Sequence, residues 1–126
     1  MPKPTTALII DDEPHVRVFL RLVLAELGIT RVWEASNGHQ GLEFAEEHRP
    51  KLVLLDLNLP VMGGLDVLKQ IHAAHPEIPV VVVSSQNTTS VVVDCQKHGA
   101  IAYLLKHTPR AELREAIREV IDSLEE

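Results

Sequence analysis

The sequence predicts an α/β fold: a (βα)5 chain forming a three-layer sandwich around a central parallel sheet. Two observations carry this. Short runs of branched apolar residues alternate along the chain with longer segments of helical periodicity. Three of the runs are apolar on consecutive residues, namely ALII (Ala7 to Ile10), LVLL within KLVLLD (Lys51 to Asp56) and VVVV within IPVVVVS (Ile78 to Ser84). Strands covered by helices on both faces read this way, whereas a strand with one wet face alternates. Parallel neighbours need crossover connections, and the helical segments between the runs supply them.

Taken in order, Ala7 to Ile10 forms the first strand and ends in acids. The first helix follows, with Val16, Phe19, Leu20, Val23, Leu24 and Leu27 at helical spacing and Arg17 and Arg21 on the opposite side. Pro14 suits its first turn, where the missing N–H has no partner to lose, and Gly28 stops it. RVWEA (Arg31 to Ala35) is more mixed and fits a strand nearer an edge. Helices two and three fall around Asn37 to His48 and Gly64 to His75, with Pro50, Pro76 and Pro79 punctuating the loops that follow. The segment from Gln86 to His98 is the weakest helix. Thr88, Thr89, Val91, Val92 and Val93 are β-branched and lose side-chain freedom in a helix, so packing must hold it and a marginal or mobile element is expected. IAYLL (Ile101 to Leu105) is the fifth strand. In the last helix Thr108 caps, Pro109 opens the turn, and Leu113, Ala116, Ile117, Val120, Ile121 and Leu124 form one apolar stripe.

Bulk properties bound the function. At 126 residues, 45% hydrophobic and 24% charged, the chain has material for one core, so a single domain over 1–126 is expected, its core running from about residue 6 to 124. A formal charge of −6 and a pI near 5.6 argue against nucleic acid or an anionic membrane as partner of this domain. Cys95 is the only cysteine, which excludes a disulfide within the chain and fits a reducing compartment. The N-terminal MPKPTTALII has no signal-peptide core, and no apolar run is long enough to span a bilayer; the expectation is a cytoplasmic protein.

Ligands of an open parallel sheet bind outside the carboxyl ends of its strands. Here those ends carry Asp11 and Asp12 (strand one), Asp56 (strand three), Ser84 and Ser85 (strand four) and Lys106 (strand five). Clustered carboxylates repel, so they must take up protons or a cation. Oxygen donors of this kind suit Mg²⁺. A cation, a lysine, a hydroxyl and a carboxylate together suit phosphoryl transfer, with Asp56 as the nucleophile able to form an acyl phosphate. Each residue alone has a plainer reading as a helix-start charge, a turn residue or a solvated lysine. Complementary groups on four strand ends are harder to assign to solvation. Glu13 is read apart from the pair, as a helix-start charge facing solvent or a bound water. His72 and His75 lack a third ligand for a metal site, Cys95 reads as a small apolar filler, and Trp33 as a packing or edge residue.

The segments IIDDEP, LVLLDLNLPVMGGLDVL, VVVSSQ and GAIAYLLK resemble the receiver domain of bacterial two-component response regulators, over about Thr6 to Leu124. The resemblance implies the flavodoxin-like strand order 2-1-3-4-5 and a phosphoryl group accepted on Asp56 from a histidine kinase or phosphotransfer protein. It implies Mg²⁺ held by Asp11, Asp12, Asp56 and the backbone carbonyl of Asn58, with Asp12 the more direct of the first two. It further implies that Lys106 contacts the phosphoryl oxygens, that Ser84 swings in to bond one of them, and that Tyr103 turns inward when Ser84 moves. Asn58 and Gln86 stand where the family tunes phosphoryl lifetime. The implied readout surface is helix four, strand five and helix five, used by an effector, an output domain or a second copy of the chain. One departure is His107, which stands where the family carries proline after a cis bond. A cis bond to a non-proline costs roughly 2.5–4 kcal/mol, so either the fold enforces it or Lys106 arrives by another loop path.

Three other readings compete. A Mg²⁺-dependent aspartyl phosphatase resembling the haloacid dehalogenase group needs a second carboxylate two residues after the nucleophile, where Asn58 stands. A flavodoxin-like cofactor binder needs a phosphate loop after strand one, where Asp11 and Asp12 would repel it. A receiver-like interaction module without phosphorylation keeps the fold but leaves the acidic set unused. The receiver reading makes the protein a switch and not an enzyme, beyond its own phosphorylation and dephosphorylation.

Overall fold

Branched apolar sequence becomes sheet and the amphipathic segments become its cover. The computed structural model describes residues 4–124; residues 1–3 and 125–126 of the expected domain lie outside them. The elements are β1 (Thr6–Ile10), α1 (Pro14–Glu26), β2 (Arg31–Ala35), α2 (Gly38–His48), β3 (Val53–Leu55), α3 (Gly64–Ala74), β4 (Val80–Ser84), α4 (Thr89–Lys97), β5 (Ala100–Leu105) and α5 (Arg110–Ser123). The five strands pair in parallel in the order β2-β1-β3-β4-β5. The mixed run Arg31–Ala35 is an edge strand, as expected. Among the described residues no helix is long and apolar enough to cross a membrane.

Alternation along the strands divides the core in two, because successive side chains point to opposite faces. Ala7, Ile9, Leu54, Val81 and Val83 pack with Leu20, Val23 and Leu24 of α1 and Leu113, Ile117 and Ile121 of α5. Leu8, Ile10, Val53, Leu55, Val80 and Val82 pack with Ala45 of α2, Val67, Leu68 and Ile71 of α3 and Cys95 of α4. Both faces of the three central strands are therefore dry, which is why their sequences are apolar without alternation.

Several boundaries differ from the sequence reading, each for a local reason. Thr108 makes no side-chain cap and Pro109 does not open the last helix. Pro109 sits in extended backbone (φ −52°, ψ 143°) at the N-cap position, and α5 begins at Arg110. The Thr108 N–H instead closes a turn onto Leu105 O at 3.1 Å. The fourth helix begins at Thr89, not near Gln86, since Gln86 is engaged in a loop described below. β3 and β4 are shorter than their apolar runs, and Pro79, lacking an N–H, lies just outside the β4 ladder. Arg17 and Arg21, expected opposite the apolar stripe of α1, are half-buried against β2, and the exposed side carries Val18 and Leu22. Trp33 stacks on His48 with centroids 4.3 Å apart. His75 is buried with Nε2 2.7 Å from Glu46 Oε2, tying α2 to the end of α3.

Burial predicts an uneven stability map. Leu54 is 1% exposed at the centre of the sheet, and Leu54→Ala is expected to cost about 2–5 kcal/mol in urea denaturation. Val18 is 55% exposed, and Val18→Ala should stay within about 0.5 kcal/mol. Helix α4 fully buries only Cys95, whereas α5 buries Leu113, Ile117 and Ile121. Amide hydrogen exchange should therefore be faster in α4 than in α5; equal protection of the two helices would contradict this.

Candidate functional site

Backbone ladders continue one residue past the strands and so fix the side chains at their carboxyl ends. Asp11 N donates to Ala35 O at 3.0 Å, Asp56 N to Ile10 O at 2.9 Å and Lys106 N to Ser84 O at 2.9 Å. These bonds carry Asp11, Asp56 and Lys106 to one mouth of the sheet. Their positions are thus consequences of strand register and not of loop packing. The start of α3 presses on the same place. A Cβ at Gly64 would run into the Asp56 carbonyl oxygen and Leu57 Cα, both backbone atoms, so only glycine lets the helix approach this closely. The loop between β3 and α3 also holds a γ-turn, with Met62 N donating to Pro60 O at 2.8 Å across Val61, whose φ is +68°.

Lys106 is the hub. Its Nζ lies 3.0 Å from Asp11 Oδ2, 3.1 Å from Asp56 Oδ2 and 2.8 Å from Glu13 Oε1. The lysine side chain is 10% exposed, and those of Asp11 and Asp56 are 2% and 1%. Burial opposes the ammonium charge, yet the close carboxylates of Glu13, Asp11 and Asp56 outweigh it and hold the Lys106 pKa above its ordinary value. Asp11 is shifted upward, mainly by burial and further by the neighbouring Asp56 charge, against the pull of the Glu13 N–H and Lys106. Glu13 is held below the usual carboxylate range by its bond to Lys106. Glu13 stands at the helix start with its side chain 45% exposed, as expected, but it also takes a bond from Lys106. It occupies the N-cap position of α1, but its carboxylate reaches across to β5.

One lysine does not balance the acids. Asp11, Asp12, Glu13 and Asp56 each offer a carboxylate oxygen, and the four atoms lie within 4.8 Å of one another. Asp56 Oδ1 is buried with no hydrogen-bond partner, and Asp11 Oδ2 lies near Lys106 without hydrogen-bond alignment. Buried carboxylate oxygens left unpaired are costly. A hard divalent cation with oxygen ligands fits this donor set. Asp12 is exposed and Asp11 buried, so the pair offers one ligand from the solvent side and one from within.

The expected switch residues stand next to the acids. Ser84 is fully buried, and its Oγ accepts from Gln86 N at 3.2 Å. The half-buried Tyr103 donates its hydroxyl to Gln86 O at 2.7 Å, and burial raises its pKa. Gln86 Nε2 donates to Asn58 Oδ1 at 2.7 Å, and Asn58 Nδ2 to Ser85 Oγ at 3.1 Å. The β3–α3 and β4–α4 loops are thereby clasped over the site. Sequence reasoning flagged Asn58 and Gln86 separately, through the resemblance; their direct bond carries no sequence signal because 28 residues separate them. The described residues contain no cis peptide, so the Lys106–His107 bond is trans and the lysine arrives by its own loop path.

Comparison with known proteins shows the family and agrees with the fold. Residues 7–118 match the family described as "Response regulator receiver domain". The nitrate/nitrite response regulator protein NarL of Escherichia coli (strain K12) is 42% identical over 118 residues, 93% of this chain and 55% of that protein. The chemotaxis protein CheY of Bacillus subtilis (strain 168) is 31% identical over 115 residues, 91% of this chain and 96% of that protein. The crystal structure of a CheY-like response regulator receiver domain protein from Methanospirillum hungatei JF-1 aligns with a TM-score of 0.85 at 28% identity, covering 95% of each chain. The chain spans about half the length of NarL and of similar transcriptional regulators. With the match extending over nearly all of β1 to α5, the chain belongs to the response regulator receiver domain family.

Proposed function

We propose that this receiver accepts a phosphoryl group on Asp56 from a histidine kinase or phosphotransfer protein and thereby switches the binding of a partner. The observation that carries the reading is the buried Asp56 carboxylate, whose Oδ2 is held by Lys106 at 3.1 Å while its Oδ1 is left unpaired. An Asp56 carboxylate oxygen attacks phosphorus, the P–N bond of the donor phosphohistidine breaks, and the imidazole leaves with the electron pair. Asp11, Asp12, Asp56 and the Asn58 backbone carbonyl would hold Mg²⁺. When bound, the ion offsets carboxylate repulsion and neutralises charge on the phosphoryl oxygens. Lys106 takes the complementary position on the β5 side, where its three acid contacts already hold the ammonium. Hydrolysis returns the free carboxylate and inorganic phosphate, so the chain catalyses only its own phosphorylation and dephosphorylation.

Switching follows from bonds that compete. Ser84 Oγ accepts from Gln86 N, and Gln86 O accepts from Tyr103. A phosphoryl oxygen on Asp56 draws the Ser84 hydroxyl away from Gln86, and the β4–α4 loop and Tyr103 rearrange with it. The readout surface is α4, β5 and α5, facing an effector protein, an output domain on the same polypeptide, or a second copy. The proposed setting is cytoplasmic, with neither nucleic acid nor membrane bound by this domain.

Incubation with Mg²⁺ and acetyl phosphate tests the reading. Intact mass should rise by one phosphoryl group, Asp56→Asn should show none, and beryllium fluoride should shift the NMR signals of Ser84 and Tyr103. A folded wild type that stays unmodified would leave only a receiver-like interaction module. The charge imbalance makes a further prediction in metal-free buffer. Lys106→Met removes the ammonium that contacts the buried Asp11 and Asp56 carboxylates and should cost about 3–5 kcal/mol, part of it regained on adding Mg²⁺. Asp56→Asn should raise stability, because it relieves repulsion with Asp11; urea denaturation with and without Mg²⁺ reads both effects.

A further inference from the structure

Arg17 stands where a cation is electrostatically unwelcome. It lies in the first turn of α1, whose unpaired N–H groups favour negative charge, and four residues before Arg21, a like-charge spacing that weakens a helix. Something must offset both. Helical side chains lean toward the helix N-terminus, and the Arg17 guanidinium reaches back along that direction. Its Nη1 donates to Asp11 O at 2.7 Å while its Nε donates to Glu34 Oε1 at 3.1 Å. Arg21 holds the other oxygen of the same carboxylate, with Nη1 3.3 Å from Glu34 Oε2, and anchors to Val32 O at 2.9 Å. Glu34 is itself placed by β2, paired opposite Ile9. The Arg17 side chain is 17% exposed, against 43% for Arg21, so the Arg17 end of the bridge is the shielded one.

We infer that Arg17 is a positioning residue for the acid pair of the β1–α1 loop, held in its working orientation by Glu34. The inference rests on the reading that Asp11 and Asp12 bind Mg²⁺. The Asp11 carbonyl belongs to the planar peptide unit that joins Asp11 to Asp12. Clamping that oxygen fixes the direction in which the chain leaves for Asp12, the exposed ligand. On the other side of the same residue, Asp11 Oδ1 accepts from Glu13 N at 2.9 Å, so Asp11 is gripped at its carbonyl and at its carboxylate. The guanidinium's planar fork serves both the β2 carboxylate and the Asp11 carbonyl at once, a task a lysine ammonium cannot copy at the same span. Arg17 touches neither the ion nor the reacting atoms.

Charge and positioning predict opposite signs, which makes the test decisive. Removing a cation near a Mg²⁺ site tightens binding if Arg17 acts only through its charge. If it positions the loop, binding weakens, as with other partners that orient metal ligands, where losses of about 10–100-fold are usual. Calorimetric Mg²⁺ titration of wild type, Arg17→Met, Arg17→Lys and Glu34→Gln is therefore expected to show about tenfold weaker binding in both Arg17 variants and a smaller loss in Glu34→Gln. Metal-free hydrogen exchange provides the second readout. The Glu13 amide should exchange faster in each variant while that of Leu54 is unchanged. Mg²⁺ binding by Arg17→Met as tight as wild type or tighter, or an unchanged Glu13 amide, overturns the inference. Should the wild type bind no Mg²⁺, the phosphorylation reading falls, and the exchange of Glu13 still decides whether Arg17 orders the loop. If Arg17→Met does not fold, Arg17→Lys and Glu34→Gln carry the same comparison.

Discussion

Everything at the mouth of this sheet depends on a charge imbalance: Asp11 and Asp56 are almost fully buried beside one another and share a single ammonium, Lys106. Isolated buried carboxylates cost several kcal/mol each, so no chain arranges them there by packing alone. Strand register arranges them. The bonds from Asp11 N, Asp56 N and Lys106 N to the neighbouring strands extend the parallel ladders beyond their last apolar residues, and the hydrophobic energy of the sheet holds the polar ends together. Apolar burial on both faces of β1, β3 and β4 is the source of that energy. The core therefore matters to the site as an anvil, independent of any residue that touches a ligand.

The loops around the acids divide into fixed and movable parts. On the β1 side Arg17, Glu34 and Arg21 tie the acid loop to an edge strand. On the β3 side Gly64 allows α3 to lie against the Asp56 backbone. Opposite them, the β4–α4 loop is held through Gln86, which donates to Ser84 Oγ and Asn58 Oδ1 and accepts from the Tyr103 hydroxyl. Polar loop bonds of this kind contribute about 0.5–1.5 kcal/mol each and can be exchanged singly. Apolar packing on the scale of the central sheet cannot.

Much of this was readable in advance, and the exceptions share a cause. Consecutive apolar residues in ALII, LVLL and VVVV announce strands buried on both faces, and the acids, serine and lysine that end them announce the site, because both signals are local in sequence. The strand order is implied by the resemblance and not by any local signal, and the parallel ladders bear it out. The Glu13 bond to Lys106 has no sequence signal because 93 residues separate the two, and a helix-start acid has a sufficient local explanation without it. Arg17 and Arg21 are expected opposite the apolar stripe because helical periodicity ranks residues by apolarity alone. It cannot register that Glu34, on the next strand, makes a half-buried arginine favourable. Thr108 and Pro109 erred at the level of one turn, since capping depends on backbone angles that a Thr-Pro pair does not determine.

The energetics also constrain which element can respond to a phosphoryl group. A hydrogen bond to a charged acceptor contributes about 1.5–3 kcal/mol, which is what a Ser84 bond to a phosphoryl oxygen would supply. Driving a two-state equilibrium from 1:99 to 99:1 takes about 5.5 kcal/mol. One such bond, even joined by a strengthened Lys106 contact, shifts populations only if the responding element is already near balance. Helix α5, with Leu113, Ile117 and Ile121 fully buried, is too firmly held to respond to so small an input. Helix α4 has β-branched residues at low helix propensity, no side-chain cap at Thr88 and a single fully buried side chain, Cys95. On the proposed switch, α4 is therefore the helix of the readout face expected to move with the Ser84 hydroxyl, and α5 the one expected to stay in place.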